Sequence, residues 1–114
     1  MTTKTAEPID LPRPVAAYFA ADTTDAKAVA QSFNHGAVVI DERQEYRGRA
    51  AIARWKAEAS SNFRYSVERL GGRVSGDQIT VTGRVTGDFP GSPVELRYHF
   101  SLEGDKIARL EIAP

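Results

Sequence analysis

From Asn62 onward the apolar residues fall at every second position, and this alternation constrains the fold more than any other feature of the chain. It begins in "FRYSVERL". Ile79, Val81, Gly83 and Val85 then alternate with Thr80, Thr82, Arg84 and Thr86, and Val94, Leu96, Tyr98, Phe100 and Leu102 with Glu95, Arg97, His99 and Ser101. Successive side chains on a strand point to opposite faces, so each run predicts a strand with one face on a core and the other in water. Turn residues punctuate the runs: Gly76-Asp77 fits a tight hairpin, "GDFPGSP" a loop, and Gly104-Asp105 leads into "KIARLEI". Gly71-Gly72 predicts a bulge or bend in the first long strand.

The first half of the chain repeats at three and four instead. Residues 1–10 read as a flexible polar tail whose Asp10 caps a helix, with Pro12 and Pro14 suited to its first turn. Val15, Tyr18 and Phe19 give that helix an apolar face, and "DTTD" breaks it. Thr24 or Asp25 caps a second helix with the stripe Ala26, Val29, Ala30 and Phe33, which Asn34, His35 and a left-handed Gly36 are expected to end. "AVVID" is a strand. "YRGRAAIARWKAEAS" then predicts a third helix that buries Ala51, Ile52, Trp55 and Ala59 and turns Arg49, Arg54, Lys56 and Glu58 outward. Residues 11–114 are therefore expected to form a single α+β domain, three helices layered on one curved face of an antiparallel sheet.

Composition and missing motifs remove several kinds of chemistry. Fifteen basic and fifteen acidic residues cancel, so no overall field draws the chain to nucleic acid or to an anionic membrane. The absence of cysteine excludes thiolate nucleophiles, iron–sulfur clusters and cysteine zinc sites. His35 and His99 fall on different elements, so no metal is expected, and no nucleotide or cofactor fingerprint is present. Arg43, Arg47, Arg49 and Arg54 cluster, but Glu42, Glu45 and Glu58 interleave with them, which favours a solvated rim over an anion site. With neither a signal peptide nor a membrane span in the sequence, the cytoplasm is the default location.

Asp41 is the residue on which function turns. It shares strand parity with Ala37 and Val39, yet it also closes the strand. One reading makes it a turn carboxylate bonded to its own backbone; the other aims it into the interior. Tyr18, Trp55 and Tyr98 are expected to face inward, each with a polar atom that seeks a partner when buried. A carboxylate among them would be partly desolvated and suited to general-base work, with tyrosine hydroxyls supplying hydrogen bonds. The same three aromatics are equally compatible with a plain core.

The succession "YFAADTTDAKAVAQSF", "NHGAVVID" and "YRGRAAIARW" followed by four long strands resembles the nuclear transport factor 2-like superfamily, over about residues 11–113. The nearest flavour is its SnoaL-like branch, which includes polyketide cyclases and is related to ketosteroid isomerases. The resemblance implies a cone-shaped, strongly bent antiparallel sheet around a pocket, closed by helices on its concave side, often in a homodimer. Phe33 and Asp41 stand at the spacing between a second-helix aromatic and the catalytic aspartate of the isomerases, which makes Asp41 the implied base. Tyr18 lies near the position of an oxyanion-hole tyrosine. Tyr98 falls where those enzymes carry a protonated aspartate, and the loop after Asp41 is shorter than theirs.

Two functions follow from these expectations. In the first, Asp41 acts as general base on a hydrophobic carbonyl-containing molecule, in an isomerase, cyclase or hydrolase-like reaction. Tyr18 and Tyr98 stabilise the oxyanion, and Phe19, Trp55, Phe63 and Phe100 form the apolar wall. In the second, the same fold is a non-catalytic ligand-binding or dimerisation module, associating through a polar outer face that carries Thr80, Thr82, Arg84, Arg97, His99 and Arg109.

Overall fold

The computed structural model describes residues 11–62 and 64–114. The expected tail, residues 1–10, and Phe63 lie outside the described residues. The chain runs α1 (Arg13–Ala21), α2 (Ala26–Gln31), β1 (Phe33–Asp41), β2 (Gln44–Arg47), α3 (Arg49–Asn62), β3 (Tyr65–Ser75), β4 (Gln78–Gly87), β5 (Val94–Glu103) and β6 (Lys106–Ala113). The class is α+β, with three helices against a six-stranded sheet in the order β2-β1-β6-β5-β4-β3.

Local chemistry sets most of these boundaries. Pro14 sits in the first turn of α1, where a missing N–H costs nothing, and Pro12 is the N-cap. The Asp25 carboxylate accepts from the backbone N–H of Ala28 at 3.0 Å, capping α2 as its sequence suggested. Leu70 is the extra residue of a bulge in β3, where the register against β4 shifts between Arg69 and Gly71. That bulge adjoins Gly71-Gly72, where the sequence predicted a bend.

Three details differ from expectation. First, α2 stops at Gln31, so Phe33 to Gly36 open β1 rather than closing the helix, and Gly36 does not have a positive φ. The strand wins because the backbone N–H of Ile107 bonds to the carbonyl of Ser32 at 3.0 Å and Phe33 pairs with Ile107. Second, β1 and β6 run parallel, so the sheet is antiparallel everywhere else but not throughout. Third, four charged or polar residues after Asp41 hide a hairpin. Glu42 and Arg43, at φ 52° and 67°, make a two-residue turn, and Asp41 pairs with Gln44 at the head of β2.

Register determines what faces the helices. Val39, Leu110, Phe100 and Ile79 pair in succession across β1, β6, β5 and β4, and all four are buried. Register partners on neighbouring strands point to one side, so this row is the floor on which Val15, Tyr18, Val29 and Ile52 of the helices pack. The next row on the same face reads Asp41, Ile112, Tyr98 and Val81. There the packing opens.

Candidate functional site

Two strand spacings separate Asp41 from Tyr98, roughly 10 Å between backbones, and both side chains point at the helices. Between them lies a cavity of about 140 Å³. Ile112, Leu96 and Val85 line it from the sheet and Trp55, Lys56 and Ala59 from α3. Tyr18 and Asp22 come from α1 and its C-cap, Tyr65 from β3, and Phe89 from the loop before β5. Tyr18, Asp41, Trp55 and Tyr98 therefore meet at one cavity. Phe19 and Phe100 do not line it. They stand behind the tyrosines, Phe19 with its ring centroid 5.2 Å from Tyr98 and Phe100 5.5 Å from Tyr18. Phe63 lies outside the described residues.

Asp41 is half-buried, and its carboxylate turns toward α3 rather than toward its own turn. Oδ2 accepts a hydrogen bond from the indole Nε1–H of Trp55 at 3.0 Å. The tight hairpin explains the placement: a two-residue loop leaves Asp41 as the last paired residue, held in strand parity with the buried Ala37 and Val39. Tyr46 in β2 covers the indole from outside, its ring centroid 6.0 Å away.

The deeper end holds a group that sequence reasoning placed in solvent. Lys56 is buried, 4% exposed, although its charge suggested the outer face of α3. Nζ bonds to Oδ1 of Asp22 at 2.5 Å and sits 3.3 Å from the hydroxyl of Tyr65 and 3.4 Å from that of Tyr18. It also lies over the Trp55 ring, 4.4 Å from the centroid, a favourable cation–π distance. Asp22 is 3% exposed. The signal for both was helical spacing: Lys56 follows Ile52 by one turn and Asp22 follows Tyr18 by one turn, so each is carried to the inward face. Arg49, also expected outside, is partly buried and donates from Nε to the carbonyl of Phe33 at 2.8 Å.

Burial pushes the phenol of Tyr18 well above its ordinary pKa, and the Asp22 carboxylate adds to the effect. Burial likewise raises Tyr98, with Asp22 as the next cause. For Tyr65 burial raises the pKa while the Lys56 ammonium pulls the other way. All three hydroxyls keep their protons at neutral pH. The Tyr98 hydroxyl has no hydrogen-bond partner among the described residues. The cavity thus brings together a carboxylate at Asp41, a phenol at Tyr98 and a neutralised ion pair beneath, within walls of Val85, Leu96 and Ile112.

Comparison with known proteins places this geometry. The chain matches the SnoaL-like domain family over residues 15–110. A "putative polyketide cyclase" from Sinorhizobium meliloti is 44% identical, covers 90% of this chain and 95% of its own, and superposes with a TM-score of 0.86. A Catenulispora acidiphila protein with a ketosteroid isomerase-like fold, solved in complex with trimethylamine, is 22% identical with a TM-score of 0.82. It covers 92% of this chain and 87% of its own. TerC, co-crystallised with polyporic acid, is 13% identical with a TM-score of 0.75, covering 87% of this chain and 86% of its own; at such identities these last two establish the fold alone. No curated protein matches. No helix among the described residues is long and apolar enough to cross a membrane. The family match, the 44% identity over nine-tenths of the chain and the three helices on a six-stranded sheet agree: the chain belongs to the SnoaL-like domain family.

Proposed function

We propose that the protein binds a small, mostly apolar carbonyl compound in this cavity and that Asp41 removes a proton from the carbon next to the carbonyl. The supporting observation is the facing pair of Asp41 and Tyr98, one an acceptor and the other a donor without a partner among the described residues, on the same face of the sheet. The C–H electrons become the enolate, the proton moves to Asp41, and the Tyr98 hydroxyl hydrogen-bonds the enolate oxygen. Return of the proton to another carbon completes an isomerisation; attack of the enolate carbon on a second carbonyl closes a ring, and the new alkoxide takes the proton back from Asp41. Tyr18 acts in the same oxyanion environment through Lys56, and Trp55 fixes the orientation of the base. At about 140 Å³ the cavity is close to an engineered void of about 150 Å³ that holds benzene, so one ring enters and any larger remainder stays at the mouth.

The test is deuterium exchange at the α-carbon of a one-ring ketone such as acetophenone, followed by NMR. Asp41→Asn should cut the protein-dependent rate by about 10²–10⁴-fold, the usual contribution of a positioned base, while the protein stays folded. An unchanged rate removes Asp41 from the mechanism. A second reading, a non-catalytic ligand-binding module that dimerises through the outer sheet face, draws support from the neutralisation of the deep carboxylate Asp22 by Lys56. It predicts ligand binding without exchange, and a dimer by light scattering.

A further inference from the structure

Lys56 and Asp22 form an ion pair whose side chains are 5% and 3% exposed. Stability does not account for such a pair, since replacing a buried ion pair by apolar residues of similar volume is often neutral or stabilising. Its position does. Among the described residues Lys56 is the only cationic side chain lining the cavity, and it touches the same indole that holds Asp41, over the ring face where Asp41 meets the ring edge. We propose that the Lys56 ammonium, anchored by Asp22, is the binding point for a ligand oxygen that carries or develops negative charge, such as an enolate or phenolate. This assignment rests on the cavity reading above and adds the group that neutralises the charge created when Asp41 takes its proton.

The hydrogen-bond lengths leave room for that oxygen. An ammonium has three donors. Asp22 takes one at 2.5 Å, but the hydroxyls of Tyr65 and Tyr18 stand at 3.3 and 3.4 Å, longer than the roughly 2.7–2.9 Å of a good charge-assisted bond. A ligand oxygen exchanges a loose contact for a short one and leaves the Asp22 anchor in place. Among the described residues, the charged and titratable groups around it are Tyr18 from α1, Asp22 at its C-cap, Asp41 from β1, Tyr65 from β3 and Tyr98 from β5. Two carboxylates against one ammonium disfavour an anion in the resting cavity. Once Asp41 is protonated, one carboxylate and one ammonium remain, and the enolate is accepted. The arrangement selects for charge that appears during proton transfer over a ligand that arrives ionised.

The probe is 4-nitrophenol, a single ring whose phenolate absorbs in the visible, bound to Asp41→Asn protein so that the base carries no charge. Adding Asp22→Asn leaves Lys56 without its counter-charge and raises the ratio of bound phenolate to phenol. Adding Lys56→Met to that pair of changes lowers the ratio at least tenfold. The last two proteins differ only at Lys56 and neither contains an unpaired buried carboxylate; Lys56→Gln serves if Met is not accommodated. Equal ratios in them overturn the assignment while leaving the Asp41 reading intact. Failure of the probe to bind any of the proteins, read from unchanged Trp55 emission, overturns the cavity reading and this assignment together. Normal exchange in Asp41→Asn with a Lys56-dependent phenolate ratio removes the base and leaves Lys56 as the oxygen site.

Discussion

The indole Nε1–H of Trp55 donates to Oδ2 of Asp41 at 3.0 Å, joining the middle of α3 to the last residue of β1. The two residues lie on elements separated in the chain by β2, so this bond fixes how the helix sits over the strand end. Trp55→Phe keeps the ring packing and deletes the donor. A hydrogen bond to a charged group contributes about 1.5–3 kcal/mol, and the partial exposure of Asp41 reduces that, so the expected destabilisation is about 1–2 kcal/mol in urea unfolding followed by circular dichroism. A loss within error would show that the bond does not hold the carboxylate.

The Lys56–Asp22 pair makes a stability prediction separate from its ligand role. Lys56→Met alone leaves a buried, uncompensated carboxylate and should cost about 3–5 kcal/mol. Lys56→Met with Asp22→Leu should recover most of that loss, because both charges leave together. Urea midpoints of the two proteins decide the matter; a double variant as unstable as the single one contradicts it.

The alkaline limb of stability is set by the tyrosines. Tyr18 and Tyr98 have folded-state pKa values raised above the ordinary 10.0, burial being the largest cause in each. A raised folded pKa means the unfolded chain loses these protons first, so above about pH 10 it binds fewer protons than the folded chain. The stability these residues contribute is complete below about pH 10 and is lost as pH rises toward their folded-state values. Chemical denaturation across that range should show the decline, and Tyr98→Phe should make it shallower. An unaltered slope in that variant excludes Tyr98 as a source.

Glu42 and Arg43 both occupy the left-handed region that favours Asn and Gly in two-residue hairpins. Replacing them by Asn-Gly should raise stability by about 0.5–1 kcal/mol, measured as an upward shift in the thermal midpoint, by relieving side-chain crowding at positive φ. A drop would indicate that the charged turn makes compensating contacts.

Much of this fold is legible in the sequence because the controlling interactions are local or periodic. Val39, Tyr98 and Phe100 announce their faces by parity, and Asp25 announces its cap by residue type. β2 is not legible, because Gln44, Glu45 and Arg47 are exposed at the sheet edge and a lone Tyr46 sets no alternation. The end of α2 is misread for the opposite reason: Phe33 continues the helical stripe, and only pairing with Ile107, far along the chain, claims it for a strand. Asp41 and Tyr98 can be singled out from sequence since both lie on alternating runs. Lys56 and Asp22 are harder: helical spacing carries each to an inward face, but each charge alone argues for solvent, and their compensation joins residues 34 positions apart.

The parallel pairing of β1 with β6 has a consequence for the order of events during synthesis. Asp41 is positioned on one side by β6, through its register with Ile112, and the other neighbour of β6, β5, is also far from β1 in the chain. Contacts between such distant segments form slowly and only after the intervening chain exists. A ribosome that has released α1 through β5 therefore holds a polypeptide with its helices and hairpins able to form but no cavity. Asp41 and the Tyr98 hydroxyl come together across the cavity when the last strand slots between β1 and β5, so the cavity is completed in one late step.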